Sequence, residues 1–550
     1  MSRLNNAVDK LNNAVAASPV GSWFRLDGSG HPRSRIGSRF TTEIRAGLTT
    51  FAAMAYIISV NASILSDTGG TCVCQPTAGD PICANSADYA ACKEIVRRDL
   101  ITTTAAASCL ASVLMGLVAN LPVALAPGLG LNAYFAYSVV GFNGTGKITY
   151  REALAAVFME GWLFFILSLL GIRQWLARII PKSLTLATGA GIGLFIALIG
   201  LSPNGLGAVG GDYVNLVGLG GCPAQYADPE HTSYCLSHVL QSPTMWLGIF
   251  LGGIITVLLM MYRVRGAIII GIFIVSIISW PRRSNVTLFP HTDQGDANFD
   301  FFKKVVNFHK LEKIGNAADF NYRSGQVWLA LITFLYVDLF DTTGTLYAMA
   351  KFADLINPKT RDFEGSTLAY CVDAFSISMG SLMGTSPVTA FIESSVSYGG
   401  RTGLTAVTAG MAFFVAIFFA PIFASIPSYA TGGALVIVGS LMARNVAEIN
   451  WRYMGDAVPA FLTLVIIPYT YNIAYGLITG IISYFLLNTI PWAIRKLTRG
   501  RISPPGYEVR RQWSIPEDGL LPLWMYVLIS SDFSLSTRLV DSRTDSFPCL

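Results

Sequence analysis

The sequence predicts an all-α polytopic membrane protein of about 14 transmembrane helices arranged as a 7+7 inverted repeat. Three observations predict it: the scarcity of charge, the length of the charge-free stretches, and a helix-breaking pattern that recurs on both sides of the midpoint.

Of 550 residues, 52% are hydrophobic and only 13% are charged, about half the roughly 25% charged fraction of soluble domains. Several soluble domains would each need a polar exterior, and 38 Lys and Arg with 33 Asp and Glu cannot cover them. Lipid covers what charge does not. The 52 glycines and 25 prolines sit inside apolar stretches at a mean hydropathy of +0.51, so they mark broken or closely packed membrane helices rather than disorder. The net charge of +5 is scattered, without a basic stripe interleaved with aromatics, so no nucleic-acid partner is expected. The first 40 residues carry six Lys or Arg against two Asp and no apolar core near the start. A cleaved signal peptide is therefore not expected, and the first membrane helix directs insertion.

A helix needs about 20 apolar residues to cross the hydrocarbon. Residues 46–66 supply one crossing and 100–146 two, split near Asn120, Leu121 and Pro122. The fourth lies at 152–171, the fifth within 183–211, and the sixth and seventh at 243–262 and 267–280. Beyond a polar segment come the eighth at 327–350, the ninth at 367–382, a short tenth after Pro387, and two each in 402–443 and 457–494. The chain then divides into an N-terminal tail (1–40), a first repeat (41–280), an external loop (281–325), a second repeat (326–498) and a C-terminal tail (499–550). Arg173, Arg178 and Lys182, Arg263 and Arg265, Lys351, Lys359 and Arg361, and Arg444 and Arg452 fall in short loops on one side, which places both termini in the cytoplasm. Cys72, Cys74, Cys83 and Cys92, with Cys222 and Cys235, then fall outside, where disulfides persist, although spacing leaves their pairing open.

The repeat is read from two landmarks in order. Ala126-Pro127-Gly128 leads to Asn132, and Ser386-Pro387-Val388 leads to Glu393; downstream, Ala187-Thr188-Gly189 recurs as Ala430-Thr431-Gly432. Seven helices per half is odd, so the halves run through the bilayer in opposite senses, as in secondary transporters. Interrupted helices in corresponding positions expose backbone N–H and C=O groups near the midplane, which puts 127–135 and 387–394 face to face at a substrate site.

Charged groups at membrane depth are costly and mark function. Asp338, Asp341 and Glu393 stand out, the first two at i, i+3 on helix eight, with no Lys or Arg in helices eight, nine or ten to neutralise them. An unpaired, desolvated carboxylate favours its neutral form, so it can take up a proton at one face and release it at the other. A sodium site would also use carboxylates and broken-helix carbonyls. Asp341 could instead cap the Thr342-Thr343-Gly344 region, and Asn132 could satisfy a neighbouring backbone group. Glu160 and Asp373 lie nearer helix ends or lack a repeat partner, which reads as structural. The pattern fits a neutral planar heterocycle: carboxylates accept ring N–H donors, the Asn132 amide offers donor and acceptor, and Tyr134, Phe135 and Phe391 supply a stacking face.

Three stretches together, Ala126-Pro127-Gly128-Leu129-Gly130-Leu131-Asn132-Ala133-Tyr134-Phe135, Asp338 to Gly344, and Thr385-Ser386-Pro387 through Glu393-Ser394-Ser395, resemble the AzgA-like purine permeases of the nucleobase-ascorbate transporter superfamily. The likeness covers about residues 40–498. It implies a core domain (helices one to four and eight to eleven) and a gate domain (five to seven and twelve to fourteen), with short strands in the broken halves of helices three and ten. It further implies proton symport of adenine, guanine and hypoxanthine across the plasma membrane by an elevator-like motion. No cofactor or metal is expected beyond the proton gradient, and homodimers are common in the wider fold. By this resemblance Asn132, Asp338 and Glu393 contact substrate, and Asp341, Glu393 and Asp338 serve proton coupling and transport. The alternatives are a uracil or xanthine carrier of the same superfamily, a sodium-coupled symporter, and an anion exchanger of the same fold, which an acidic site disfavours. An intramembrane aspartyl protease would need a Gly-x-Gly-Asp on a second helix, which the sequence lacks, so no enzyme is expected.

Overall fold

Seven helices among the described residues are long and apolar enough to cross a bilayer, and four shorter apolar helices join them. The computed structural model describes residues 2–74, 83, 86–173, 181–202, 205–210, 218–219, 242–264, 266–353, 355, 363, 365–391, 399–499 and 501–502.

Helices α1 (Ser2–Ala16) and α2 (Pro19–Phe24) precede the first crossing, which is α3 (Phe40–Met54) continued after Ala55 by α4 (Tyr56–Ser66). This crossing starts earlier than the charge-free stretch suggests, because Glu43 is buried rather than solvated. Its carboxylate accepts the N–H groups of Arg401 at 3.0 Å and Thr402 at 3.1 Å and the hydroxyl of Thr405 at 2.6 Å. The second crossing, α5 (Ala87–Leu114), also starts early, capped by the Ser86 hydroxyl, so that its charged first turns belong to the helix. Asn120, in the left-handed conformation at φ 49°, ends that crossing after a π-helical turn.

Next come β1 (Leu125–Pro127), α6 (Leu129–Ala133) and a π-helical stretch to Val140, and then α7 (Tyr150–Leu169), which opens on a reciprocal cap between Thr149 and Glu152. Helix α8 (Lys182–Leu201) is followed by the two-residue strands β2 (Val209–Gly210) and β3 (Gly218–Leu219), then α9 (Pro243–Leu247), α10 (Ile255–Met261) and α11 (Ala267–Ser279). The polar segment that follows is folded: α12 (Asp293–Phe302) packs Phe299 and Phe302 on Phe289, and Asp99 of α5 accepts the N–H groups of Glu312 at 3.0 Å and Lys313 at 2.7 Å. The second half holds α13 (Gly325–Phe352), α14 (Ser366–Met383), β4 (Val388–Ala390), α15 (Gly403–Ile417), α16 (Ala420–Ala424), α17 (Ser428–Ala443), α18 (Met454–Tyr469) and α19 (Ile473–Leu497). Gly384 at φ +92° stops α14. Any side chain there would be strained, which fits a glycine.

The expected short strands are present: β1 and β4 pair antiparallel with Leu125 opposite Ala390, Ala126 opposite Thr389 and Pro127 opposite Val388. The helices group as the inverted repeat predicts. Helix α14 packs along α7, and α15 along α5 and α3, whereas α8 packs along α17 and α18, and α18 along α19. The two helices carrying the Ala-Thr-Gly landmarks, α8 and α17, therefore meet each other. Gly193 sits opposite Gly439 and Gly200 opposite Gly432, so the pair runs antiparallel, as elements related by a two-fold axis in the membrane plane must. A Cβ on Gly439 would lie 2.3 Å from the Gly193 carbonyl oxygen, which explains why only glycine fits.

Helix α19 turns Ile482, Phe485, Leu486 and Ile490 outward, each at least half exposed except Leu486 at 49%. Such an apolar stripe suits acyl chains. Disulfides join Cys72 to Cys92 and Cys74 to Cys83. Cys222 and Cys235 lie outside the described residues.

Candidate functional site

The two interruptions expected from the sequence meet where β1 pairs with β4, since Pro127 and Pro387 each lack the N–H that a continuous helix needs. The groups so exposed are satisfied across the junction. Gly128 N–H donates to the Pro387 carbonyl at 3.0 Å, Phe391 N–H to the Ala124 carbonyl at 3.2 Å, and Ser112 Oγ of α5 accepts the Leu125 N–H at 3.0 Å.

Asn132, on α6 just beyond β1, is fully buried. Its Oδ1 accepts the hydroxyl of Ser386, which lies two residues before β4, so the two broken elements are tied through side chains as well as backbone. Its Nδ2 has no hydrogen-bond partner among the described residues. Asn61 of α4 braces the junction, donating to Thr104 Oγ1 at 2.7 Å and Thr385 Oγ1 at 3.0 Å. A buried donor left unpaired costs about 1–3 kcal/mol, so the Asn132 amide is set to receive an acceptor. The aromatic residues expected here are buried, and two of them meet helix eight: the Tyr134 ring lies 5.1 Å from Phe334 and Phe135 lies 6.1 Å from it. Phe391 follows β4 directly and is 8% exposed.

Phe334 stands one helical turn before Asp338 on α13. Asp338 is fully buried, and its Oδ1 accepts the Thr342 hydroxyl at 2.7 Å. Helices eight, nine and ten carry no Lys or Arg, as read from the sequence, but Asp338 is not unpaired as expected, because a cation reaches it from beyond helix four. Arg173, just past α7, is fully buried and places Nη2 3.7 Å from Asp338 Oδ2 and 3.0 Å from Asp373 Oδ2. Its guanidinium lies over the rings of Phe164 at 4.4 Å and Tyr370 at 4.8 Å. Arg173 is therefore no solvated loop charge; the acids of α13 and α14 draw it into the protein because an unpaired buried charge is far costlier than a paired one. The charge balance of three acids in helices four, eight and nine was the signal for such a partner.

Glu160 also departs from its reading as a helix-end residue. It lies midway along α7, is fully buried, and neither carboxylate oxygen has a hydrogen-bond partner among the described residues. Asp341 lies on α13, but its side chain falls outside the described residues, as does Glu393 entirely. No group of three His, Cys, Asp or Glu suited to a metal ion occurs among the described residues.

A family model, the Permease family Xan_ur_permease, matches residues 81–479. A Schizosaccharomyces pombe protein provisionally named as a xanthine/uracil permease is 58% identical over 95% of this chain and 84% of its own length. Efflux pump notK' of Aspergillus versicolor is 59% identical over 94% of this chain and 91% of its own. Guanine/hypoxanthine permease PbuO of Bacillus subtilis is 37% identical over 80% of this chain and 90% of its own. Among solved structures, the transmembrane domain of the cyanobacterial bicarbonate transporter BicA aligns at a TM-score of 0.51 and 15% identity, over 81% of this chain and 97% of that domain. That likeness speaks for the fold alone.

Proposed function

We propose, on the premise that this chain belongs to the Permease family matched over residues 81–479, that it is a proton-coupled symporter of adenine, guanine and hypoxanthine. As a family member it is a multi-pass membrane carrier of nucleobases and not an enzyme. In the proposed cycle the core group (α3–α7 and α13–α15) moves as an elevator against the gate group (α8–α11 and α17–α19), in the plasma membrane with both termini cytoplasmic. The chain division at 40, 280, 325 and 498 belongs to the same proposal, as does a homodimer.

The observation that carries the substrate reading is the Asn132 amide N–H, unpaired among the described residues, at the junction of β1 and β4. A purine ring nitrogen or carbonyl is an acceptor for it, while the ring N–H groups need an acidic acceptor such as Asp338, whose Oδ2 receives no hydrogen bond from the described residues. Net negative charge around Arg173 disfavours an anion. The name of PbuO, a relative covering most of this chain, supports purines.

The test is uptake of radiolabelled adenine, guanine or hypoxanthine by transport-deficient cells expressing the chain. Accumulation abolished by a protonophore is expected, with each purine competing against the others. Uptake that requires sodium instead, or competition by uracil and xanthine but not by adenine, guanine or hypoxanthine, would replace this reading with one of its alternatives. Glu393→Gln should weaken all three purines, and Asp341→Asn should chiefly lower the rate. The name of the Aspergillus relative favours a second reading on direction, namely export. A symporter runs down the summed gradient, so inverted and right-side-out vesicles with imposed pH gradients decide which direction is used.

A further inference from the structure

The symport cycle needs a group that holds a proton away from water, and Glu160 has the surroundings for it. The charged groups facing it are Asp338 on α13, Asp373 on α14 and Arg173 beyond α7. All four side chains are fully buried. One guanidinium compensates one carboxylate, so ionising all three acids would leave two uncompensated charges in a site without solvent. Each such ion costs several kcal/mol to desolvate. The guanidinium is already engaged: it donates to Asp373 at 3.0 Å and to the Tyr370 carbonyl at 3.4 Å, and approaches Asp338 at 3.7 Å. Asp338 has in addition the Thr342 hydroxyl. Among the described residues Glu160 has no donor at either oxygen, so of the three it gains least from being ionised.

We propose that Glu160 is a proton-binding carboxyl of the transport cycle, linked to substrate through the Arg173 cluster; the inference rests on the symport reading above. With the proton on Glu160, the cluster carries one excess negative charge and Asp338 remains an acceptor for ring N–H groups. Once the proton leaves Glu160 for water, the new carboxylate competes with Asp338 for the Arg173 guanidinium, which lies 3.7 Å from Asp338 Oδ2, and so disturbs the placement of Asp338 and weakens its hold on the base. Proton and substrate therefore bind together, and the coupling is reciprocal. The proton comes from water on one side and returns to water on the other; no bond is otherwise made or broken.

The test compares wild type, Glu160→Gln and Glu160→Asp, purified and reconstituted in proteoliposomes with radiolabelled adenine or hypoxanthine. Gln matches the volume of Glu and mimics the protonated form. It should retain exchange of labelled for unlabelled base, lose accumulation driven by an imposed pH gradient, and lose the pH dependence of exchange. Asp keeps a titratable group and should retain gradient-driven accumulation with a displaced pH profile. A residue serving only to fill space predicts the opposite order, with Gln like wild type and Asp impaired. That order, or unaltered accumulation in Glu160→Gln, overturns the proposal. If Glu160→Gln fails to fold, Glu160→Asp decides alone, and an unmoved pH profile overturns it. Wild-type protein that shows no pH-driven accumulation would sink the symport reading itself, which separates the two failures.

Discussion

Arg173 donates from Nη2 to Asp373 Oδ2 at 3.0 Å, and both side chains are withdrawn completely from the surface. This pair ties the end of helix four to helix nine, and through the 3.7 Å approach to Asp338 it reaches helix eight.

Breaking that pair by Arg173→Ala leaves buried acids without their cation and removes the stacking over Phe164 and Tyr370. The expected loss is about 3–5 kcal/mol, read as a lowered melting temperature of the detergent-solubilised protein and reduced delivery to the membrane. Arg173→Lys keeps the charge but not the planar fork, so it should fall between wild type and Ala. A melting temperature unchanged in Arg173→Ala would refute the pairing.

Ser386 orients the Asn132 amide by donating to its oxygen. Removing that hydroxyl in Ser386→Ala should raise KM for purines several-fold, corresponding to about 1 kcal/mol for one hydrogen bond, with little change in stability. Asn132→Leu removes both donor and acceptor and should abolish binding measured by scintillation proximity. Equal affinity in both variants and wild type would detach Asn132 from the site.

The Cys72–Cys92 bond closes a segment of sequence separation 20. Its removal by Cys72→Ser with Cys92→Ser should cost about 3 kcal/mol on a chain-entropy account, seen as a lower melting temperature. On intact cells, a membrane-impermeant thiol reagent should label these cysteines only after an impermeant reductant is added from outside. Labelling only in opened cells would reverse the proposed orientation.

Gly439 approaches the Gly193 carbonyl too closely for a side chain. Gly439→Val should push α17 from α8 and cost at least about 1–3 kcal/mol through overpacking, measured by melting, whereas Ala at the exposed Gly30, where no atom lies within 4 Å, tests only the strain of its φ +72° turn. A Gly439→Val protein as stable as wild type would contradict the close antiparallel contact.

Much of this was legible one residue at a time. Pro127 and Pro387 interrupt apolar runs, and the structure pairs those interruptions as β1 and β4. The Ala-Thr-Gly pattern around Thr188 and Thr431 marks the two helices that cross through glycines. What escaped was the burial of charge near helix ends. Hydropathy counts Glu43 and Arg173 as loop residues, because a window averages polarity along the chain and cannot see a partner several helices away. Glu43 is taken in by the start of α15, and Arg173 by Asp373 and Asp338. Glu160 shows the converse: its helix was legible, but its lack of any donor among the described residues was not.

The spacing of apolar runs, prolines and small residues along the chain decided by itself that this protein lives in lipid, how often it crosses, and where its helices break. These follow from local covalent and solvation preferences, which act over one helix at a time. Only the folded arrangement decided that one guanidinium serves two aspartates, and that among the described residues Asn132 keeps an unpaired N–H beside Ser386 and Glu160 stands among charges without a hydrogen bond. Those are long-range electrostatic balances, and they exist only once distant segments share the same water-free space.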